Sequence, residues 1–164
     1  MNIPRQLEFQ RWALGQFHTL LKDVTEDQGK EQFTQTGRTI HSIYTHMVEV
    51  TWFWLEVIKE SKDLEPPVFE ELSLGKLMAR HGEYLDELDS LMTSHLDQNY
   101  VLDHPWLPPK APTSFENMAF NILNHLTYHR GQLAVGLARL GFEIPETDYN
   151  PYHFNVILRR SEDG

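Results

Sequence analysis

The sequence predicts an all-α protein, a four-helix bundle with a short irregular or β flap between its third and fourth helices. Four segments of about 20–25 residues repeat apolar residues with helical spacing, and turn-rich stretches separate them. The strand-helix alternation and glycine motifs of dinucleotide- and phosphate-binding folds are absent from the sequence. With 164 residues, of which 40% are hydrophobic, we expect a single domain over residues 1–164.

The first predicted helix covers about residues 4–24. Pro4 suits its first turn, where an N–H would have no partner in any case. Three leucines fall near one line of this helix: Leu7, Leu14 and Leu21. Residues 25–37 then form a polar connection, and the second helix covers about residues 38–61. It ends before a Pro-Pro pair that begins at Pro66, because proline cannot continue a helix.

The third predicted helix covers about residues 72–96. Its apolar face carries Leu74, Leu77, Leu85, Leu88 and Met92. Residues 97–113 contain too many prolines for a helix, and the stretch "NYVL" at 99–102 indicates a short strand. The segment is long enough to act as a flap.

The fourth predicted helix starts at Thr113 or Ser114, because Thr113 and Glu116 have the spacing of a capping box. It runs to Leu140 and stops at Gly141, a residue type typical of the position after a helix. The chain after it forms a tail with room for one short final turn or helix.

The charge and the residue types exclude several classes of function. The formal net charge is −10, and a surface this acidic repels phosphate backbones, so we expect no nucleic-acid binding. No basic stripe offsets it; the one Arg pair is Arg159-Arg160 near the C-terminus. The sequence has no cysteine, which excludes disulfides, thiolate nucleophiles and cysteine-ligated zinc. The apolar stretch at 50–58 is too short to span a membrane, and the N-terminus has no secretory apolar region, so we expect a cytoplasmic protein.

Two of the nine histidines, His125 and His129, lie four residues apart on the fourth helix. At about 100° per residue, His129 falls inside the apolar stripe and His125 at its edge, so both face the bundle interior one turn apart. Such a pair can offer two imidazoles to one ion. From spacing alone, a metal site and a pair of hydrogen-bonded core histidines both stay open.

A third ligand is expected from another helix, because two ligands rarely suffice. On the second helix, His46 lies at the edge of the apolar arc, whereas His41 lies on the opposite side and is predicted to be a surface residue. Helical phase does not exclude His18 or His81, which share faces with leucines. A lone inward histidine such as His18, His46 or His81 is more often a hydrogen-bonded core residue than a metal ligand.

Three stretches carry a family resemblance over nearly the whole chain. The first helix contains "FQRWALGQFHTLL", with an aromatic-x-x-Trp-Ala opening; the second contains "IYTHMVEVTWFWL", with a histidine before small and apolar residues and a Trp. The fourth contains "ILNHLTYHRGQLAVGLARLGFEIPETDY", with a His-x-x-x-His-Arg-Gly-Gln run, then Leu-Gly and an acidic-aromatic pair. These stretches resemble the DinB/YfiT-like family of metalloenzymes, although Leu14 stands where that family often has Asn.

This resemblance implies a four-helix bundle connected up-down-down-up, with its long crossover at residues 61–71. It implies a divalent ion, nickel or zinc, held by one histidine of the second helix and two of the fourth. The corresponding residues are His46, His125 and His129. It also places His18 and His81 outside the metal site.

Three histidine ligands leave coordination positions open, which is typical of a catalytic site. Zn²⁺, Ni²⁺, Fe²⁺ and Mn²⁺ all accept imidazole. The ion can lower the pKa of a bound water for hydrolysis or hold a low-molecular-weight thiol as thiolate. The resemblance favours the thiol, because characterised relatives include thiol-dependent transferases and isomerases. We therefore predict a small-thiol-dependent S-transferase, with a metal-dependent hydrolase or a non-catalytic, stress-induced metal-binding or interaction protein as alternatives.

Several residues near the predicted ligands are candidates for supporting roles. Gln132 lies about one turn past His129 and is the candidate to orient a ligand or water. Asn124 and Tyr128 point away from the stripe, and Glu49 falls on the polar face as a solvated carboxylate. Arg130 is expected at the surface or in an interhelical ion pair.

Three aromatic residues flank the fourth helix and either shape a substrate pocket or pack loops: Trp106, Tyr149 and Tyr152. Trp52 lies off the apolar arc of the second helix and is either incidental or a subunit contact. The expected partners are a small-molecule substrate and a second copy of the chain, with no nucleic acid and no membrane.

Overall fold

The computed structural model describes residues 2–61, 64–65, 67–102 and 110–162. Within these ranges the chain is mostly helical with one small two-stranded sheet, as the sequence predicts. Pro66, the predicted stop to the second long helix, lies outside the described residues.

Helix α1 spans Ile3–Leu21, and Asn2 caps it by accepting a hydrogen bond from the Arg5 N–H at 3.0 Å. Helix α2, Glu26–Lys30, follows where the sequence predicts only a polar connection, so that prediction is wrong. A capping box between Thr25 and Gln28 starts this helix. Its Thr-x-x-Gln spacing is visible in the sequence, but a helix of five residues is too short to show an apolar period.

Helix α3 spans Ile40–Ile58, shorter at both ends than predicted. A capping box between Thr39 and Ser42 fixes its start. It ends two residues before Glu60, whose φ of 55° lies in the left-handed region and prevents the helix from continuing.

Helix α4 spans Leu74–His95 and starts later than predicted, because Ser73 caps it by accepting a hydrogen bond from the Lys76 N–H. A single 3₁₀ turn at Phe69–Glu71, called the 69–71 turn below, precedes it and packs on α3.

Strands β1, Asn99–Leu102, and β2, Ala111–Ser114, pair antiparallel. The first confirms the strand predicted from "NYVL", whereas the second is not predicted. The capping box predicted at Thr113 is wrong, because Thr113 lies one residue before the N-cap of the next helix. Ser114 caps the next helix instead, accepting a hydrogen bond from the Asn117 N–H.

Helix α5 spans Phe115–Arg139 and ends where predicted, at Gly141, whose φ is 88°. The Gly141 N–H donates to Ala138 and the Phe142 N–H to Leu137, which closes the helix end. The tail then forms α6, Tyr149–Tyr152, a π-helical turn at His153–Leu158, and α7, Arg159–Glu162. Helix α6 packs on α1.

The four long helices share one apolar core. Helix α3 packs on α4 and α5, and α1 packs on the same two. The largest fully buried side chains of this core come from α1, α3, the 69–71 turn and α5, and they include Phe17, Ile43, Tyr44, Met47, Phe69 and Phe115. No helix within the described residues is long and apolar enough to cross a membrane.

Candidate metal centre

The three predicted ligands meet where α3 packs against α5. His46 lies between the buried residues Thr45 and Met47 on α3, and it reaches the interface with α5. His125 and His129 lie one turn apart on the facing side of α5, next to buried Leu126. The buried residues beside each histidine therefore place it on the inward side of its helix.

One nitrogen of each of the three imidazoles lies within 4.8 Å of the others. The ring centroids are 5.1 Å apart for His46 and His125, 4.9 Å for His46 and His129, and 4.3 Å for His125 and His129. His129 is buried and the other two are half-buried, so the cluster opens from the core toward solvent. This group can hold a metal ion.

Gln132 fixes the tautomer of His129. The two side chains are 2.9 Å apart, from Nδ1 of His129 to Oε1 of Gln132. A carbonyl oxygen can only accept, so Nδ1 carries the proton and Nε2 carries the free lone pair. The amide predicted to orient a ligand therefore contacts one of the three histidines.

The surroundings of His125 fit a bound cation. Its Nε2 atom is buried and has no hydrogen-bond partner among the described residues. Leaving such an atom unpaired costs about 1–3 kcal/mol, and a metal ion would satisfy it. Burial, with His129 and His46 adding to it, lowers the pKa of His125 to about 4, and burial lowers the pKa of the other two histidines as well. All three are neutral near pH 7, as metal ligands must be.

Glu49 lies closer to the centre than its predicted role as a solvated carboxylate allows. Its Oε2 is 3.9 Å from Nδ1 of His46, and the side chain is only 33% exposed. Burial, with a smaller contribution from Glu70, raises the pKa of this carboxyl group. The 69–71 turn packs on α3 and brings Glu70 near, which an isolated helical wheel cannot reveal.

Arg38 is a charged neighbour that the sequence interpretation missed. After the effect of burial, its positive charge further lowers the pKa of His46 and of His129. Arg38 precedes Thr39, the cap of α3, so a helical wheel does not apply to it.

His18 and His81 lie in a separate buried chain of hydrogen bonds. Thr51 donates its proton to the Met47 carbonyl at 2.8 Å, so it accepts from Nε2 of His81 at 3.2 Å. Nδ1 of His81 then accepts from the Tyr44 hydroxyl at 3.3 Å, and that oxygen accepts from Nε2 of His18 at 2.6 Å. Both histidines are thus hydrogen-bonded core residues.

Two predictions on α3 are wrong because the segment before α4 covers that helix. His41, predicted at the surface, is half-buried, and its Nε2 donates to the Leu72 carbonyl at 2.7 Å. Trp52, predicted as a stray or subunit-contact aromatic, is 8% exposed and packs edge-on against Phe69 of the 69–71 turn.

Arg130 is also buried, at 5% exposure, rather than at the surface. Its guanidinium donates to Oε1 of Gln10 at 2.5 Å and to the Thr147 carbonyl at 3.2 Å, and it lies 5.4 Å from the centre of the Phe9 ring. Its interhelical bond is therefore to an amide and not to a carboxylate. Arg130 is buried because α1 and the tail pack on the side of α5 that the helical wheel predicts to be polar.

The aromatic candidates of the tail pack on α1. Tyr152 is buried between Phe9 and Trp12, and Tyr149 meets Phe9 edge-on at 5.4 Å. These contacts agree with the packing interpretation, and a role in a substrate pocket stays a prediction. Trp106 lies outside the described residues.

Asn124 and Tyr128 are both exposed, as predicted. The Tyr128 ring nevertheless meets that of His129 edge-on, at 4.9 Å between centroids.

The sequence is similar to known proteins over nearly its whole length. The profile of the DinB family matches residues 3–160. "Protein DinB" of Bacillus subtilis (strain 168) is 23% identical over 157 residues, which cover 90% of this chain and 91% of that protein. No solved structure matches the chain. Because the family profile spans nearly the whole sequence, the chain belongs to the DinB family.

Proposed function

We propose that this protein holds a divalent metal ion, zinc or nickel, through His46, His125 and His129, and uses it in a small-thiol-dependent S-transfer. The proposal rests on the arrangement of the three histidines, whose ligand nitrogens all lie within 4.8 Å of one another. One of these histidines, His125, has a buried Nε2 atom without a hydrogen-bond partner among the described residues. An all-imidazole donor set suits zinc or nickel, and it also accepts iron or manganese.

A divalent ion held there supplies Lewis acidity, which keeps a thiol deprotonated near neutral pH. The protein's own residues prepare the site for it. Burial keeps the three imidazoles neutral, and Gln132 holds the proton of His129 on Nδ1. Three protein ligands leave room for a substrate atom.

A thiol-transfer assay tests the proposed activity. The full chain is loaded with Zn²⁺ or Ni²⁺, and the transfer of 2-mercaptoethanol to a chromogenic aryl halide is followed by absorbance. We expect metal-dependent turnover that is lost in His125→Ala and kept in the control His41→Ala, which lies on another face of the core. Equal rates for wild type and His125→Ala would contradict the proposal.

Metal-dependent hydrolysis is a second candidate, and Glu49 is the observation that favours it. A half-buried carboxylate with a raised pKa, 3.9 Å from His46, is a suitable acceptor for a proton from water. Under this alternative, the metal-loaded protein hydrolyses an activated ester and Glu49→Gln abolishes the reaction. S-transfer without ester hydrolysis would eliminate the candidate.

We infer that the four long helices run up-down-down-up. Tyr44 and Thr51 contact His81, and Lys59 contacts Glu87 at 2.9 Å, so contacts ascend together along α3 and α4, which supports parallel helices. Residue order runs oppositely in two other helix pairs. Between α1 and α4, Arg11 contacts Asp86, whereas the later residue His18 reaches the earlier residue His81 through Tyr44, which supports antiparallel helices. Between α3 and α5, Ile40 lies near Gly136, whereas the later residue His46 meets the earlier residue His129, which supports the same arrangement.

We also propose that the substrate is a small molecule, that the protein acts in the cytoplasm, and that it forms a homodimer. Apolar side chains on the exposed face of α5, such as Tyr128 and Val135, support the last of these. Sedimentation of the purified chain tests it, and a monomer at micromolar concentration would contradict it.

A further inference from the structure

We propose that the three-histidine centre takes a substrate bearing a carboxylate group, and that the guanidinium of Arg38 binds this carboxylate. This inference rests on the proposed function, because it names the chemical class of a ligand at the same centre. It adds a specificity-determining residue that lies outside the metal-ligand set.

The loop that carries Arg38 is fixed against α5 near the histidines. The Arg38 carbonyl accepts from the Phe33 N–H at 3.0 Å, and the Arg38 N–H donates to Thr34 Oγ1 at 2.9 Å. Phe33 packs so closely on Gly136 that a Cβ atom there would lie 2.7 Å from its ring, and Arg139 donates to the Phe33 carbonyl. Arg38 is thereby held at the end of α5 that follows His129.

Within the described part of the chain, no carboxylate neutralises the positive charge of Arg38. Its side chain is exposed, and none of the ion pairs among the described residues includes it. This is notable in a chain of net charge −10, in which carboxylates are abundant. Ile40, two residues after Arg38, lies against Gly136, and the rings of His46 and His129 meet farther along the same two helices with centroids 4.9 Å apart. Arg38 therefore lies on the seam between α3 and α5 that leads to the centre. A cation without an ion-pair partner on this approach to an open site favours an anionic ligand.

Gln132 provides a second donor in the same region. Its Oε1 is used by His129, and no described residue accepts a hydrogen bond from its Nε2. The Cα atom of Gln132 lies about 4.5 Å farther along α5 than that of His129, in the direction of Gly136 and the loop of Arg38. A ligand reaching from the centre toward Arg38 passes this amide, which can donate to a carboxylate oxygen.

The surrounding charges favour a monoanion over a phosphate dianion. Glu49 lies 3.9 Å from His46, and Glu70 is near enough to raise the pKa of Glu49. Two carboxyl groups oppose a doubly charged ligand, and one guanidinium cannot offset it. A carboxylate matches the planar fork of arginine and carries a single charge.

The test uses the metal-free full chain and propionate as probe, with 1-propanol as the neutral match. Two-dimensional ¹⁵N NMR follows the side-chain amide of Gln132 during each titration. We expect saturable shifts with propionate and none with propanol. Affinity should fall by about tenfold or more in Arg38→Gln and stay unchanged in the control Arg80→Gln, an exposed arginine on α4. Absence of a saturable shift in wild type, or equal propionate affinity in Arg38→Gln, would overturn the inference.

A second arm identifies which reactant carries the carboxylate. The nickel-loaded chain is titrated with 3-mercaptopropionate and with 2-mercaptoethanol, followed by absorbance. A preference for 3-mercaptopropionate that Arg38→Gln removes assigns the carboxylate to the thiol. Equal binding of the two thiols, with propionate binding retained, assigns it to the co-substrate. If the chain takes up no metal, the proposed function fails, while the propionate titration still decides the role of Arg38.

Discussion

Nδ1 of His129 donates its proton to Oε1 of Gln132 across 2.9 Å, so the free lone pair of that imidazole resides on Nε2. Outer hydrogen bonds of this kind hold a histidine in its ligating tautomer and orientation. Gln132, at the outer edge of the three-histidine centre, thereby determines which nitrogen of His129 is free to bind a metal ion.

Replacing Gln132 by alanine is expected to weaken metal binding about 10–100-fold, because His129 loses the partner that fixes its tautomer. Competition with a chromogenic chelator measures the affinity. Asn124→Ala is the matched control, since Asn124 is an exposed amide on the same helix. A Gln132→Ala protein that binds metal as tightly as the control would show that this hydrogen bond does not prepare the site.

Two glycines of α5 provide a test of packing. A Cβ atom at Gly136 would lie 2.7 and 2.9 Å from the Phe33 ring, whereas one at Gly131 meets nothing within 4 Å. We expect Gly136→Ala to lower the free energy of unfolding by about 1–3 kcal/mol through overpacking. Gly131→Ala should raise it by about 0.5–1 kcal/mol through helix propensity. Urea denaturation measures both.

A second substitution separates overpacking from other effects at Gly136. Phe33→Leu removes the ring that the new Cβ would meet, so combining it with Gly136→Ala should cost less than the sum of the two single changes. Strict additivity would show that the close approach of Phe33 is not the cause.

Burial of His81 makes stability depend on acidity. Burial lowers its pKa to about 3 from the ordinary 6.5. The unfolded chain therefore binds the proton more readily between these values. The contribution is intact above pH 6.5 and falls with pH toward 3, by at most about 1.4 kcal/mol per pH unit for this group. His18, whose pKa is lowered to about 4, acts in the same direction.

His81→Gln isolates this effect, because glutamine keeps a donor and an acceptor but does not titrate. The free energy of unfolding, measured by urea denaturation of metal-free protein between pH 4 and 7, should fall less steeply in the variant by about one proton. Parallel pH profiles for wild type and variant would contradict the assignment of a neutral, buried His81.

The long helices are predictable from sequence because their apolar residues repeat with a local period. The same period turns His125 and His129 inward and puts His46 at the edge of the apolar arc of α3. It does not distinguish His46 from His18 or His81, and that choice depends on the family resemblance. The remaining differences arise where another segment covers a face. The 69–71 turn buries Trp52 and brings Glu70 to Glu49, and the tail with α1 buries Arg130. These contacts join residues that are distant in sequence, and the apolar period of one helix contains no information about them.

The proposed binding of one divalent ion by His46, His125 and His129 is checked by metal content. The full chain is loaded with Zn²⁺ or Ni²⁺ and dialysed, and the bound metal is measured by mass spectrometry. We expect one equivalent for wild type and for the control His41→Ala, and near-complete loss for His46→Ala, His125→Ala and His129→Ala, each still folded by circular dichroism. A wild-type chain that retains no metal after loading, or alanine variants that retain it fully, would show that these histidines do not form a metal site.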